Sequence, residues 1–375
     1  MSIAIDLLGT NLGSGTRTYN INFCKNLQNV NLKENIYIFL SENYFKEINF
    51  LTNNPKITLI VKSNLFSNIF FRLFWMQFLL PLNLKIRGIN KLFSPMNICP
   101  IFNIFNIKII LGLHSNLPWL YFNLMPGSFW KKYLTKKIME LSIHRCNSII
   151  IPSNFAKKET SKIFKIKKKI HVINHGLEVK NYKKKTYGYS LKSLNNKKYI
   201  LSVLSCVKYH NIINLLKAYK SFIKKKKINL KFVLVTQVLD KKYFSQIKDY
   251  VIKNSIKKDV LIIKDLRYSK IQGLYRNSEF YIFSSYCEVF GFTSLEAMAN
   301  KCPVLISKTS SLQEINGNNV LYFDPDNILD IKKKIHRILT DKSFKKKLIQ
   351  KGINHSKKFS WEKCVKETIK QIEKT

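Results

Sequence analysis

The sequence predicts an α/β protein of two Rossmann-like domains facing a cleft, and three observations lead there. Short apolar runs of strand length alternate with helix-length stretches through both halves, as in parallel sheets covered by helices. A glycine-rich turn follows the first run, as in a mononucleotide-binding unit. A chain of 375 residues exceeds one small core and suits two domains.

In chain order, residues 3–8 form the first strand, and the turn 9–17 holds Gly13 and Gly15 two apart, followed by Arg17. Tyr19, Ile21, Phe23 and Leu27 then begin a helical pattern. No third glycine completes a dinucleotide fingerprint, so no nicotinamide cofactor is expected. Residues 36–40 and 57–61 read as strands. The most apolar stretch, 66–82, is interrupted by Arg72, Gln77 and Pro81, which argues against a bilayer span. Its aromatic residues recur at helical spacing and are expected mostly in the core, leaving Arg72, and later Trp119, Tyr121 and Phe122, to face an acceptor or lipid. Residues 109–114 are a strand ending on His114. A lone histidine is by default structural, and its place at a strand end raises His114 as a candidate ligand contact. Residues 133–146 are amphipathic. The stretch 182–196 is polar and lysine-rich without apolar periodicity, and is read as a linker. Strands are expected again at 199–203, 230–235 and 260–263, and helices at 328–339 and 344–359. The expected organisation is a first domain at 1–180, a linker at 181–198, a second domain at 199–355 and a closing helix at 356–375.

The segment 280–326 is where chemistry is expected. Residues 280–284 and 302–306 read as buried strands flanking a loop and a short helix. Helix N-termini favour phosphate or carboxylate, Gly291 lets backbone approach a ligand, and ligands of open α/β sheets bind at strand carboxyl ends. Glu288 falls in the loop and Glu296 in the first helical turn. Thr293-x-x-Glu296 is equally the pattern of a capping box, and an isolated loop glutamate such as Glu288 is ordinarily solvated. The run Glu288-x-Phe290-Gly291-x-x-x-Leu295-Glu296-Ala297-Met298-Ala299, with Pro303 and Val304 after it, resembles the E-x7-E signature of the family 4 glycosyltransferases.

That resemblance implies a GT-B fold and transfer of a sugar from a nucleoside-diphosphate sugar, with retention of anomeric configuration and without a metal or other cofactor. It implies that Glu288 and the backbone at Phe290 and Gly291 hold the donor sugar, that Glu296 accepts hydrogen bonds from the ribose, and that His114 contacts the transferred sugar. Gly13, Gly15 and Arg17 would lie against donor phosphates and acceptor. Arg72-x-x-Trp75-x-Gln77-x-x-Leu80-Pro81 resembles an internal helix of the family, and 360–373 its last helix, which packs back on the first domain. The family's usual diphosphate-binding pairs, Gly-Arg and Lys-Asn, are replaced here by Leu204-Ser205 and His210-Asn211. Lys208 and His210, with Ser205, are the residues left to meet the donor diphosphate.

The net charge is +43, which ordinarily indicates an anionic partner. Abundant Lys, Ile, Asn, Phe and Tyr also have the look of an A/T-rich coding bias. Against composition alone, no Asp or Glu occurs between Glu47 and Glu140. The seven cysteines are scattered without metal-like spacing and read as reduced and buried in a cytosolic protein; the start lacks a basic signal region. The expected partners are a nucleotide-sugar donor, a glycan or lipid-linked acceptor and an anionic membrane surface at the inner face of the cytoplasmic membrane. Nucleic-acid binding is a competing reading, weakened by the absence of any helix-turn-helix, zinc-finger or RNP-like pattern. A relative that keeps the fold with weakened donor binding is another.

Overall fold

The computed structural model describes residues 2–9, 15–177, 194, 197–226 and 229–375. They cluster into two units, one formed by Met1–Trp119, Phe129–Gly176 and Phe359–Thr375, the other by Leu120–Ser128 and Leu177–Lys358.

The first unit is built on β1 (Ser2–Asp6), β2 (Asn35–Ser41), β3 (Ile57–Lys62), β4 (Lys91–Ser94), β5 (Lys108–Gly112), β6 (Ser148–Ile151) and β7 (Ile170–Val172). Their order is β3-β2-β1-β4-β5-β6-β7, and every neighbouring pair is parallel. The second unit has β8 (Lys198–Val203), β9 (Leu230–Thr236), β10 (Val260–Lys264), β11 (Phe280–Phe283), β12 (Val304–Ser307) and β13 (Leu321–Phe323) in the order β10-β9-β8-β11-β12-β13, again parallel throughout. Covered on both faces, such strands are continuous apolar runs; Ala4, Ile5, Ile38, Leu92, Ile110, Leu201, Val233 and Leu305 are fully buried. Strand order reverses beside β1 and beside β8. That places the loops after β1 and β4, and those after β8 and β11, at the switch points where open sheets bind ligands.

Strand β4 escapes the sequence reading. It has four residues and begins with Lys91, a residue that argues against a central strand. Burial of this lysine is tolerated because Nζ donates to Glu34 Oε1 at 3.2 Å and to the Glu373 carbonyl at 2.6 Å.

The aromatic stretch differs from expectation more sharply. Residues Ile69–Ile86 form one helix, with a π turn at Trp75–Leu79. Its inner side, Trp75, Met76, Leu80 and Leu84, is buried, whereas Phe70, Phe71, Phe74 and Phe78 are exposed. The expectation that most of these aromatics are core therefore fails: a helix apolar all round does not declare which face is covered. The helix is also long and apolar enough to cross a membrane by length and composition.

The closing helix Trp361–Lys374 begins at Ser360, whose hydroxyl accepts the Lys363 N–H. Its buried side, Trp361, Cys364, Val365, Thr368 and Ile372, lies with the helix Gly15–Leu27; Tyr19 meets Trp361 ring to ring at 5.8 Å. Gly176 passes so close that a Cβ there would stand 2.0 Å from the Trp361 nitrogen. Only glycine fits.

Candidate functional site

The second unit gathers the E-x7-E residues at the β8/β11 switch point. After β8, the chain makes a short turn, Lys208–His210. The His210 Nδ1–H donates to the Ser205 carbonyl at 2.6 Å; a carbonyl only accepts, so this bond selects the tautomer. Nε2 then points at Glu288 Oε1, 3.4 Å away. With Nδ1 committed as a donor, that contact becomes an ion pair when Nε2 also carries a proton. Lys208 is exposed beside it.

Glu288 lies on the loop after β11, and its backbone is clamped. Its N–H donates to Ser310 Oγ at 2.9 Å, and its carbonyl accepts from Ser311 Oγ at 2.7 Å. Ser307 and Thr309 hydroxyls likewise hold the Ser285 carbonyl, at 2.6 and 2.7 Å. The loop is thus fixed by hydroxyls from the segment after β12 and leaves the Glu288 carboxylate partly exposed. Gly291 then adopts φ +83° as the N-cap of the helix Phe292–Ala299. A Cβ there would stand 2.6 Å from Leu312 Cδ2, so both the backbone conformation and the space call for glycine.

Glu296 sits one turn into that helix and is 7% exposed. Its Oε1 accepts from Tyr268 Oη at 3.0 Å and its Oε2 from Tyr275 Oη at 3.4 Å. Burial pushes its pKa up to about 7, against the two tyrosine hydroxyls, which favour the charged form. The capping-box alternative does not materialise. The helix is capped by Gly291 rather than Thr293, whose hydroxyl instead accepts from Tyr281 Oη at 2.7 Å.

In the first unit, His114 lies two residues beyond β5. Its backbone N–H donates to Asn97 Oδ1 at 2.5 Å, and its ring packs on Tyr19 at 4.5 Å and on His175 at 5.1 Å. Both ring nitrogens are buried without a hydrogen-bond partner among the described residues. Burial lowers its pKa to about 3, so the ring is neutral at neutral pH. Among the described residues, no cluster of three or more His, Cys, Asp or Glu is placed to hold a metal ion.

Two family models match the chain, Glycosyltransferase Family 4 over residues 64–181 and Glycosyl transferases group 1 over residues 184–355. In both halves the chain is similar to the family 4 glycosyltransferases. An O-antigen chain mannosyltransferase of Salmonella typhimurium is 24% identical over 220 residues, which are 58% of this chain and 56% of that protein. An uncharacterized glycosyltransferase of Methanocaldococcus jannaschii is 32% identical over 142 residues, 37% of this chain and 39% of its own. The chain therefore spans about half or less of these curated relatives. Sucrose-phosphate synthase from Thermosynechococcus elongatus, at 15% identity, superposes with a TM-score of 0.77 over 100% of this chain and 98% of that one. That likeness gives the fold, two Rossmann-like domains of GT-B type.

Within this family frame, the structure brings together Ser205, His210 and Glu288, and sets Glu296 at the start of the same segment's helix. Ser205 acts through its carbonyl. Phe290 is buried, so any donor contact there is through its backbone. Gly15 opens the helix Gly15–Leu27 with nothing among the described residues within 4 Å of where a Cβ would be; Gly13 lies outside the described residues. One expectation needs correction. Arg72, expected to face an acceptor, is 4% exposed and donates to Asp6 Oδ2 at 2.7 Å in the interior of the first unit, because the inner face of its helix is where a carboxylate waits. Arg17 is engaged by Glu47 and stands over the Tyr44 ring at 5.6 Å. The sequence reading also missed Tyr268 and Tyr275 as holders of Glu296 and the serines that fix Glu288. The only signal for the latter was the hydroxyl-rich run Ser307-Lys-Thr309-Ser310-Ser311.

Proposed function

We propose that the protein transfers a sugar from a nucleoside-diphosphate sugar to a glycan or lipid-linked acceptor, with retention of configuration, in cell-surface polysaccharide assembly. The observation that carries the reading is Glu296: a buried carboxylate held by two tyrosines beside a left-handed glycine loop at a sheet switch point. Groups so perturbed cluster at functional sites. In this reading, ribose hydroxyls donate to Glu296, while Glu288 and the Gly291 backbone hold the sugar. The bond from the anomeric carbon to the diphosphate oxygen breaks, the acceptor oxygen bonds on the same face, and the acceptor proton passes to the departing diphosphate. Lys208, His210 and the start of the helix Phe292–Ala299 offset the charge that develops there. His114, neutral in the fold, is read as the contact of the transferred sugar because the family resemblance implies it. The mannosyltransferase named for O-antigen among the relatives supports a polysaccharide product. Seven buried, unpaired cysteines suit a reducing cytoplasm.

A specific observation favours a second reading, a relative with weakened donor binding: Leu204, in the family's glycine position, is buried, and Ser205 offers a carbonyl where an arginine is usual. Thermal-shift titration with UDP, GDP, ADP and their sugar conjugates separates the two, because a ligand that binds only the folded state stabilises it. Stabilisation by one nucleotide class, reduced in Glu296→Ala, is the expected result. No shift with any of them would overturn the donor-dependent reading in favour of the weakened relative.

A further inference from the structure

The aromatic helix Ile69–Ile86 has an exposed apolar face among the described residues. Phe70, Phe74, Phe78, Leu82 and Ile86 recur every four residues and are all exposed, Phe70 at 76% and Ile86 at 75%; Ile69 and Phe71 widen the stripe. The surface continues sideways. Phe78 stacks with Phe102 at 6.2 Å, and Phe102 and Ile104 are themselves exposed. Gln77 Oε1 accepts the Ile101 N–H at 2.7 Å and Ser142 Oγ accepts the Cys99 N–H at 3.0 Å. These bonds bind the intervening segment to the helix Phe129–Arg145 on its other side. That helix has its own exposed apolar line, Trp130, Leu134 and Leu141, with Phe129 and Tyr133 beside it. Exposed apolar side chains clustered in this way mark an interaction site.

Charge identifies the occupant. No carboxylate occurs between Glu47 and Glu140, and Glu140 is engaged by Lys137 at 2.9 Å and by Trp119 Nε1 at 3.3 Å. Lys85 and Arg87 are exposed at the end of the aromatic helix, and Lys131 and Lys137 on its neighbour. A second copy of this chain would bring like charges together, which opposes self-association through this face. An apolar helical face edged by lysine and arginine is what an anionic membrane surface takes up. Crossing the bilayer is a different matter. The helix's inner side, Trp75, Met76, Leu80 and Leu84, is already buried in the first unit, and Arg72 is bonded there to Asp6.

We propose that this face docks in the plane of an anionic lipid bilayer, with the Phe70–Phe74–Phe78 stripe and Trp130 in the boundary between headgroups and acyl chains and the flanking cations on lipid phosphates. The test is flotation of the full chain, without donor or acceptor, with vesicles of phosphatidylcholine alone or mixed with phosphatidylglycerol. The mixed vesicles should carry the protein at least about tenfold better than the neutral ones, and salt should weaken the difference. The triple variant Phe70→Ser/Phe74→Ser/Phe78→Ser should partition at least about tenfold less while keeping its circular dichroism and urea midpoint, since these side chains are already exposed. Lys85→Glu/Arg87→Glu should lose the preference for anionic vesicles. Trp fluorescence should shift to the blue on binding, and Trp130→Phe should remove most of that shift. Wild-type protein that stays unfloated with mixed vesicles would overturn the proposal, as would a triple variant that floats like wild type. A vesicle-free dimer abolished by the triple variant would overturn it in favour of a second copy.

Discussion

Glu296 gives the site a pH signature. In the unfolded chain its carboxyl titrates near about 4.3, whereas burial in the fold pushes it up to about 7. The folded state therefore binds the proton more tightly. Its stability is greatest at the acid end of that window, falls as pH rises through it, and levels off above it, by an amount on the order of 3 kcal/mol. Glu296→Gln should flatten this slope and be the more stable protein at pH 8, as urea unfolding at pH 5 and pH 8 would show; parallel slopes would refute the assignment. Under the proposed function, nucleotide affinity of wild type should rise with pH through the same window and that of the variant should not. Arg72 carries a second residue-scale prediction. Removing one partner of a buried pair strands the other, so Arg72→Met should cost about 3–5 kcal/mol, and adding Asp6→Leu should recover part of the loss. Urea unfolding of the four-protein cycle measures this, and additive losses would mean that the two side chains are not coupled.

At the scale of elements, the loop–helix junction after β11 depends on Gly291. Forcing a Cβ into its left-handed conformation and against Leu312 should cost about 1–3 kcal/mol, so Gly291→Ala should lower the urea midpoint; an unchanged midpoint would show that Leu312 yields and the strain is absent. The strand and glycine pattern of this junction was legible because both are local: four buried apolar residues, then a glycine ahead of a helix. What holds Glu296 was not, because its partners lie 28 and 21 positions upstream and a Thr-x-x-Glu spacing is the same whether the carboxylate turns to the backbone or to distant tyrosines. The aromatic helix misled for a related reason. Periodicity locates a face only when the other face is polar, and here both were apolar. Its lone arginine looked like a surface group because Asp6 is 66 residues away. Strand β4 was hidden by a lysine whose acceptors come from residues 34 and 373.

For the molecule as a whole, a net charge of +43 sets up self-repulsion that folding concentrates. Added salt screens it, so the midpoint of thermal unfolding should rise by about 2–5 °C between low and physiological ionic strength; a fall would indicate that attractive pairs outweigh the repulsion. The first unit also has a history written into its connectivity. Its last helix, Trp361–Lys374, supplies the side chains that cover Tyr19 and close over Gly176, yet the 182 residues Leu177–Lys358 of the other unit are interposed between Gly176 and Trp361. At roughly 5–20 residues per second of synthesis, the face around Tyr19 waits on the order of 10–40 s for its cover. A nascent chain must therefore carry an unfinished domain through the translation of a second one, and the second unit is free to finish folding first.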